Sequence, residues 1–494
     1  MAESNAQSDP DPRNGRLSTG ISIAETEDPN RPKRVMGFTD LLLFYVVTGI
    51  SLRWIASAAA AGPSSIVIWI GAWLVFYTPL ALSVIELSSR YPGEGGLYVW
   101  SKRAFGDFAG FMAGWTYWTC NLPYYPTVLY FAASNLIYMH GPWLHLATNA
   151  KFYITFSVIT LVVAALLNIF GLDVGKWLHN VGALAMWIPA GIIVAMGIIA
   201  WHRQGSATSF SFHALIPGTR LNDIIFWSVL TFAFTGCEAA SFMGDEIKTA
   251  RRTIPVALLT AGLTVAFCYI LGTISILVAL PSSEVSNLQG LMQAISRTAD
   301  RIGFPGVIPL AAFLIALSNL GACAAFLAAV ARIPFVAGLD RFLPPIFGSL
   351  HPRWRTPWLS LLLQAALGIV FAVLGQAGTS VKGAYDVLVA VSIITYFIPF
   401  LYLFASMFKL QSERGGPDII RVPGGSPIAR MVAVAGFLTT SLTILLSLVP
   451  QPDEPNKPLA VLKIVGSTAI LLALGIWIYW LGKKRTARTV ARTT

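Results

Sequence analysis

Val47-Thr48-Gly49-Ile50-Ser51, with Arg53 just beyond, interrupts the first long apolar run of this chain, and Phe234-Thr235-Gly236-Cys237-Glu238 interrupts the sixth. Each puts a small Thr-Gly pair and an ionisable side chain near the middle of an otherwise hydrophobic segment. Close helix packing also favours small residues inside membranes, so one such pair alone says little. Two at matching places, each followed by an ionisable residue, point to interrupted helices, the best sequence pointer to a transporter's substrate site. Five runs separate them, an odd number of crossings, so two repeats offset in this way run in opposite directions through the membrane. The expected fold is an all-α integral membrane protein of 12 transmembrane helices. A five-plus-five inverted repeat with broken helices 1 and 6 makes up the core, and two extra helices follow it.

The composition supports a membrane chain. Of 494 residues 55% are hydrophobic and 12% charged, whereas soluble domains carry about 25% charged residues; the mean hydropathy is +0.67. At about 20 residues per crossing, the apolar runs are read as spans over 37–60, 64–87, 105–135, 152–171, 178–201, 223–246, 254–280, 306–333, 358–376, 383–408, 431–450 and 459–481. Residues 1–36 read as a disordered cytoplasmic tail without a signal peptide. Residues 37–410 read as the transport core, 411–481 as the two additional helices and 482–494 as a basic cytoplasmic tail.

An even number of spans puts both termini on one side. With that topology, 25 of the 34 Lys and Arg residues fall on the side of the termini and 8 on the other, leaving Arg53 inside the first span. The positive-inside rule then makes the terminal side cytoplasmic and the cell inner (plasma) membrane the expected location. The net charge of +11 is spread between spans rather than clustered on a soluble face, so nucleic acid is not an expected partner. The lipid bilayer is. All four cysteines (Cys120, Cys237, Cys268, Cys323) lie in apolar runs and imply no disulfide framework.

An ionisable group at the centre of a span costs about 2.5–3.5 kcal/mol on insertion scales. Arg53 and Glu238 therefore need partners or an aqueous cavity, and coupling or gating roles are expected of both; the bland alternative is a buried Arg53–Glu238 latch. Where a helix unwinds, its N–H groups can bind a carboxylate and its carbonyls an ammonium. That chemistry suits a zwitterion. The expected substrate-binding residues are Thr48, Gly49, Ile50 and Ser51 in the first break, Phe232, Phe234, Thr235 and Gly236 around the sixth, and Asn121 and Tyr124 in the third span. That span reads Trp115-Thr-Tyr117-Trp118-Thr-Cys-Asn121-Leu-Pro123-Tyr124-Tyr125-Pro126, and its prolines withdraw backbone hydrogen bonds. The sequence has no nucleotide-binding P-loop, no paired zinc-ligand motif and no nucleophile elbow, and its six histidines are dispersed. No enzyme, cofactor or metal site is expected.

Three further segments carry a resemblance. Glu86-Leu-Ser-Ser-Arg90-Tyr-Pro92-Gly-Glu-Gly95-Gly96-Leu-Tyr98 with Ala104-Phe105-Gly106, the sixth-span Phe232-Ala-Phe234-Thr-Gly236-Cys-Glu238, and Ala331-Arg332-Ile-Pro334 through Leu339-Asp340-Arg341-Phe-Leu343-Pro344 with Arg355-Thr356-Pro357 resemble the amino acid/polyamine/organocation superfamily of secondary transporters. The resemblance spans about residues 37–410. It implies substrate held between the unwound parts of spans one and six, with Gly49 and Ser51 in the carboxylate-binding segment, Phe232 as an aromatic gate and Glu238 as the coupling acid. Two departures stand out. Arg53-Trp54 replaces the small residues usual in the first span, and Gly321-Ala-Cys-Ala-Ala and Gly182-Ala-Leu-Ala-Met186 lack the hydroxyl of sodium-coupled relatives and the Lys of some proton-coupled ones. Arg53 as a fixed cation would make transport independent of sodium.

The reading is thus a transporter of amino acids, neutral or acidic, proton-coupled or exchanging. Polyamine uptake is the alternative, since the third span also resembles polyamine carriers, and a non-transporting nutrient sensor is the alternative of another class. The loop over Met139–Lys151 has no cysteine, so no disulfide-linked heavy subunit is expected.

Overall fold

A computed structural model describes residues 37–91, 96–170, 172–236, 238, 250–331, 333, 342–344, 350–354, 356–413, 419–451 and 454–493. The 1–36 tail, the glycine-rich part of the span two to three signature, the second half of span six and most of the segment after span eight lie outside the described residues. Within them there are helices and no strands.

The helices are α1 (Phe38–Gly49), α2 (Leu52–Ala61), α3 (Ser65–Arg90), α4 (Gly96–Phe105), α5 (Asp107–Thr119), α6 (Asn121–Leu136), α7 (Ala150–Phe170), α8 (Leu172–Gln204), α9 (Leu221–Phe232), α10 (Ala250–Ala279), α11 (Gly290–Ile302), α12 (Val307–Val330), α13 (Trp358–Gln376), α14 (Val381–Leu410), α15 (Gly425–Ser447) and α16 (Lys457–Thr493). Nine helical spans among the described residues are long and apolar enough to cross a membrane, at 19 to 30 residues each. The chain is an integral membrane protein. Spans one, three and six of the sequence reading are not among the nine because each is divided: α1/α2, α5/α6, and α9 with the turn that follows it.

The first division lies where the Thr-Gly pair suggested. Helix α1 ends at Gly49, Ser51 is extended at φ −137°, ψ 120°, and α2 begins at Leu52. In the sixth run α9 stops at Phe232; two tight turns follow (Phe234 N to Thr231 O, Thr235 N to Phe232 O), and Gly236 takes φ 108°. That left-handed angle needs a residue without a Cβ.

One hydroxyl spans both breaks. Tyr269 Oη, on α10 and fully buried, accepts from Ser51 N (3.1 Å), donates to Gly49 O (2.7 Å) and lies 3.2 Å from Ala233 O. The Tyr269 ring stacks on Trp69 at 4.5 Å, and Trp69 Nε1 donates to Thr273 Oγ1.

The packing has a paired pattern. Helix α1 packs on α10, while α9 packs on α3; α5 and α6 pack on α14, while α12 packs on α8; α7 packs on α13. Helices α15 and α16 lie against α14, α15 also touching α9 and α3, and α16 touching α5. Helix α16 runs on through the basic tail to Thr493. Within α3 a π turn at Trp73–Tyr77 precedes Pro79, whose missing N–H cannot bond Val75 O; Thr439 Oγ1 of α15 donates to that carbonyl (3.2 Å), while Trp73 O accepts from Thr78 Oγ1 (3.0 Å). In α6 the hydroxyl of Thr127 bonds Pro123 O, and the Asn121 amide bonds Tyr117 O.

Near the end of α3, Glu86 is 1% exposed. Its Oε1 accepts from Arg90 (2.7 Å) and from the Gln411 amide (2.7 Å), and its Oε2 from Val422 N (2.8 Å). Outside the membrane on the same side, Glu413 accepts from Tyr91 and Arg103. The Tyr91 hydrogen bond, helped by Arg103, holds the Glu413 carboxyl below its usual range.

Tyr269→Phe removes only the hydroxyl that bridges the breaks. It leaves a half-buried N–H and a half-buried carbonyl without this partner, a loss of about 1 kcal/mol. The expected outcome is a lower melting temperature of the detergent-solubilised protein; an unchanged one would show that the breaks hold themselves.

Candidate functional site

The two breaks face a common cavity of about 90 Å³, walled by α1/α2, the turn after α9, and faces of α6, α8, α12 and α14. A water takes up roughly 10–15 Å³ of such space, so the cavity accommodates about six to nine water-sized groups, the scale of a small amino acid. Of the residues singled out in the sequence, Gly49, Ile50, Ser51, Arg53, Asn121, Tyr124, Phe232, Thr235 and Gly236 line it.

Phe234 and Glu238 do not. Phe234 is turned to the opposite side by the tight turn after Phe232 and packs in the core against Trp69 (5.6 Å), Tyr77 (5.8 Å) and Tyr269 (5.9 Å). Thr48 lies within helical α1, before the chain unwinds, and its side chain is outside the described residues. Glu238 is fully buried behind the wall. Its Oε1 accepts from Tyr117 (3.1 Å) and Tyr396 (2.6 Å) and its Oε2 from Gly236 N (2.9 Å). Tyr396 lines the cavity and so connects the carboxyl to it by one hydroxyl.

Arg53 and Glu238 form no ion pair. The latch is not made, because the guanidinium lies over the rings of Trp54 (4.2 Å) and Tyr124 (5.0 Å), while the carboxyl is already occupied by two tyrosines and an amide. Arg53 is 3% exposed, and its Nε and Nη1 have no hydrogen-bond partner among the described residues. Trp54 meets Phe232 edge-on at 5.4 Å, joining the two broken runs by their side chains. Trp54 also lines a second, smaller cavity of about 40 Å³ with Ser57, Tyr385, Asn287 and Glu454, so this ring stands between the two spaces.

Several cavity residues escaped the sequence reading. Ser318 and Asn319 of α12 line it just before Gly321, so a hydroxyl is present on the cavity face of span eight, although the Gly321–Ala325 stretch has none. Asn319 was legible as a polar residue inside an apolar run; Tyr396 was not, since an aromatic residue in such a run is ordinary. The amide nitrogens of Asn121 and Asn319 are committed to the carbonyls of Tyr117 and Ile315, which leaves their oxygens as the available groups. Cys120, Cys268 and Cys323 are free thiols.

A cavity between two interrupted membrane helices, lined by a fixed cation and amide acceptors, has the make-up of a membrane carrier's site. The comparisons name its kind: a family model described as amino acid permease matches residues 35–477, and the chain belongs to that family. It is similar to an uncharacterized transporter of Legionella pneumophila (28% identity, covering 92% of this chain and 98% of the relative). It is also similar to a probable agmatine/putrescine antiporter of Lactococcus lactis (23%; 85% and 89%) and to a glutamate/serine transporter of Bacillus subtilis (24%; 84% and 78%).

Tyr396→Phe removes one of two tyrosine bonds to the Glu238 carboxyl, worth about 1.5–3 kcal/mol if the carboxyl is charged. Melting of Tyr396→Phe, Glu238→Gln and the double variant gives the coupling directly. Non-additivity is expected; additive losses would mean that the two side chains act separately.

Proposed function

We propose that this protein is a secondary transporter that moves amino acids across the membrane by alternating access, with its substrate in the cavity between the two helix breaks. The observation that carries this reading is the Arg53 guanidinium, buried beside the first break and without a hydrogen-bond partner among the described residues at two of its nitrogens. An uncompensated buried cation is costly, and a substrate carboxylate relieves that cost. The same charge opposes a polyamine, which is the reading that the agmatine/putrescine relative would otherwise favour.

On this reading residues 37–410 form the ten-helix core, in which the second five spans repeat the first five inverted. The paired contacts support it: exchanging each span for the one five places along turns α1 on α10 into α9 on α3, and α5/α6 on α14 into α12 on α8. Helices α15 and α16 are the two additions, and the charge asymmetry puts both termini in the cytoplasm. Gly49, Ile50 and Ser51 offer the α-carboxylate the start of α2, and the oxygens of Asn121 and Asn319 face the ammonium. Phe232 with Trp54 closes the cavity against the second space.

Glu238 takes the coupling role through Tyr396, a carboxyl whose proton state is felt at the cavity without contacting substrate. Arg53 occupies the charge role that a bound sodium ion has elsewhere, so transport runs on protons or exchange.

The purified protein in detergent should be stabilised against heat by one or a few amino acids and not by polyamines, since a ligand of the folded state alone raises stability by mass action. The converse result would overturn the carboxylate site. In proteoliposomes, replacing sodium by choline should leave uptake of the stabilising amino acid unchanged. Glu238→Gln should retain binding while slowing net uptake; undiminished proton-driven uptake would remove the carboxyl from coupling.

A further inference from the structure

Charge is out of balance in the cavity. Among its described lining residues there is one charged side chain, Arg53, and no carboxylate. A guanidinium keeps its charge in proteins, and this one is 3% exposed. Glu238 cannot offset it at contact, being held by Tyr117, Tyr396 and Gly236 N on the far side of the wall. A neutral zwitterion brings one carboxylate and one ammonium and leaves the net positive charge as it was. A substrate of net charge −1 cancels it.

We infer that the site selects dicarboxylic amino acids, with Arg53 as the residue that reads the second carboxylate. The inference deepens the proposed function and rests on it. The parts for three substrate groups are present and separate. The break at Ile50-Ser51 opens onto the start of α2, where the first N–H groups have no preceding turn to bond, and that end suits the α-carboxylate. The oxygens of Asn121 and Asn319, whose amide nitrogens are tied to Tyr117 O and Ile315 O, suit the ammonium. The Arg53 guanidinium, whose Nε and Nη1 have no hydrogen-bond partner among the described residues, offers charged donors of the kind that binds a carboxylate by charge-assisted hydrogen bonds. Trp54 and Tyr124 hold the plane of the guanidinium from their ring faces, at 4.2 and 5.0 Å, so it is positioned before any anion arrives. A lysine in that place would carry the charge without the planar group.

Glutamate and glutamine have nearly the same shape and differ in charge, so they isolate the effect. The test measures the concentration of each that half-saturates thermal stabilisation of the full chain, and then uptake of each in proteoliposomes. Glutamate is expected to bind at least about tenfold tighter than glutamine, because an unpaired buried charge is worth that much or more. Arg53→Gln should bring the ratio to near one, and Arg53→Lys should keep glutamate ahead by a smaller factor. The wild-type ratio decides by itself should Arg53→Gln fail to fold. Glutamine binding as well as glutamate, or better, would overturn the charge selection while leaving an amino acid carrier. Binding of putrescine with no amino acid bound would overturn the proposed function together with it.

Discussion

The Tyr269 hydroxyl meets the backbone of both interrupted runs. A broken helix in a membrane has backbone groups with no water to satisfy them, and each costs several kcal/mol if left alone. Tyr269 answers for Gly49 O and Ser51 N in the first break and stands at Ala233 O in the sixth. It does this from α10, a long continuous helix, so the irregular backbone is referenced to a regular one. Everything that gives the cavity its chemistry follows from that arrangement. Arg53 enters the membrane interior because α2 begins there, and Phe232 reaches Trp54 because α9 stops there.

Arg53 and Glu238 have opposite treatments. Glu238 is wrapped by donors, so its carboxyl sits in a complete polar shell whose outermost member is the cavity-lining Tyr396. Arg53 is given aromatic faces instead, which attract a cation without using its N–H groups. One group is finished by the protein and the other is left unfinished. A shell made of tyrosines also differs from one made of lysine or arginine, since a hydroxyl can donate to the carboxylate or accept from the acid.

Much of this was legible in the sequence because it follows from local chemistry. The Thr-Gly pairs mark both breaks, and nine of the twelve residues named as candidates line one cavity. What was missed has a common cause. Phe234 lies two residues from Phe232, and which way it turns depends on the tight turn between them rather than on helical period. Tyr269 and Tyr396 are aromatic residues in apolar helices, indistinguishable by type from Tyr130 or Tyr385, and only their long-range partners make them different. Ser318 lies one turn before the Gly321–Ala325 stretch, and the helix brings it to the same cavity face as Gly321.

The Glu86 node bears on how separable the last two helices are. Counting spans invites a division after residue 410, with the core complete and the remainder an appendage. Yet the carboxylate at the end of α3 takes one of its hydrogen bonds from the Gln411 side chain and another from the backbone of Val422, and it does so while almost wholly out of solvent. A carboxylate of that kind has no spare tolerance for losing donors. The boundary that looks clean in a diagram of crossings therefore runs through the middle of a single polar cluster, and a shortened ten-helix chain would need new donors for Glu86 before it could be a protein in its own right.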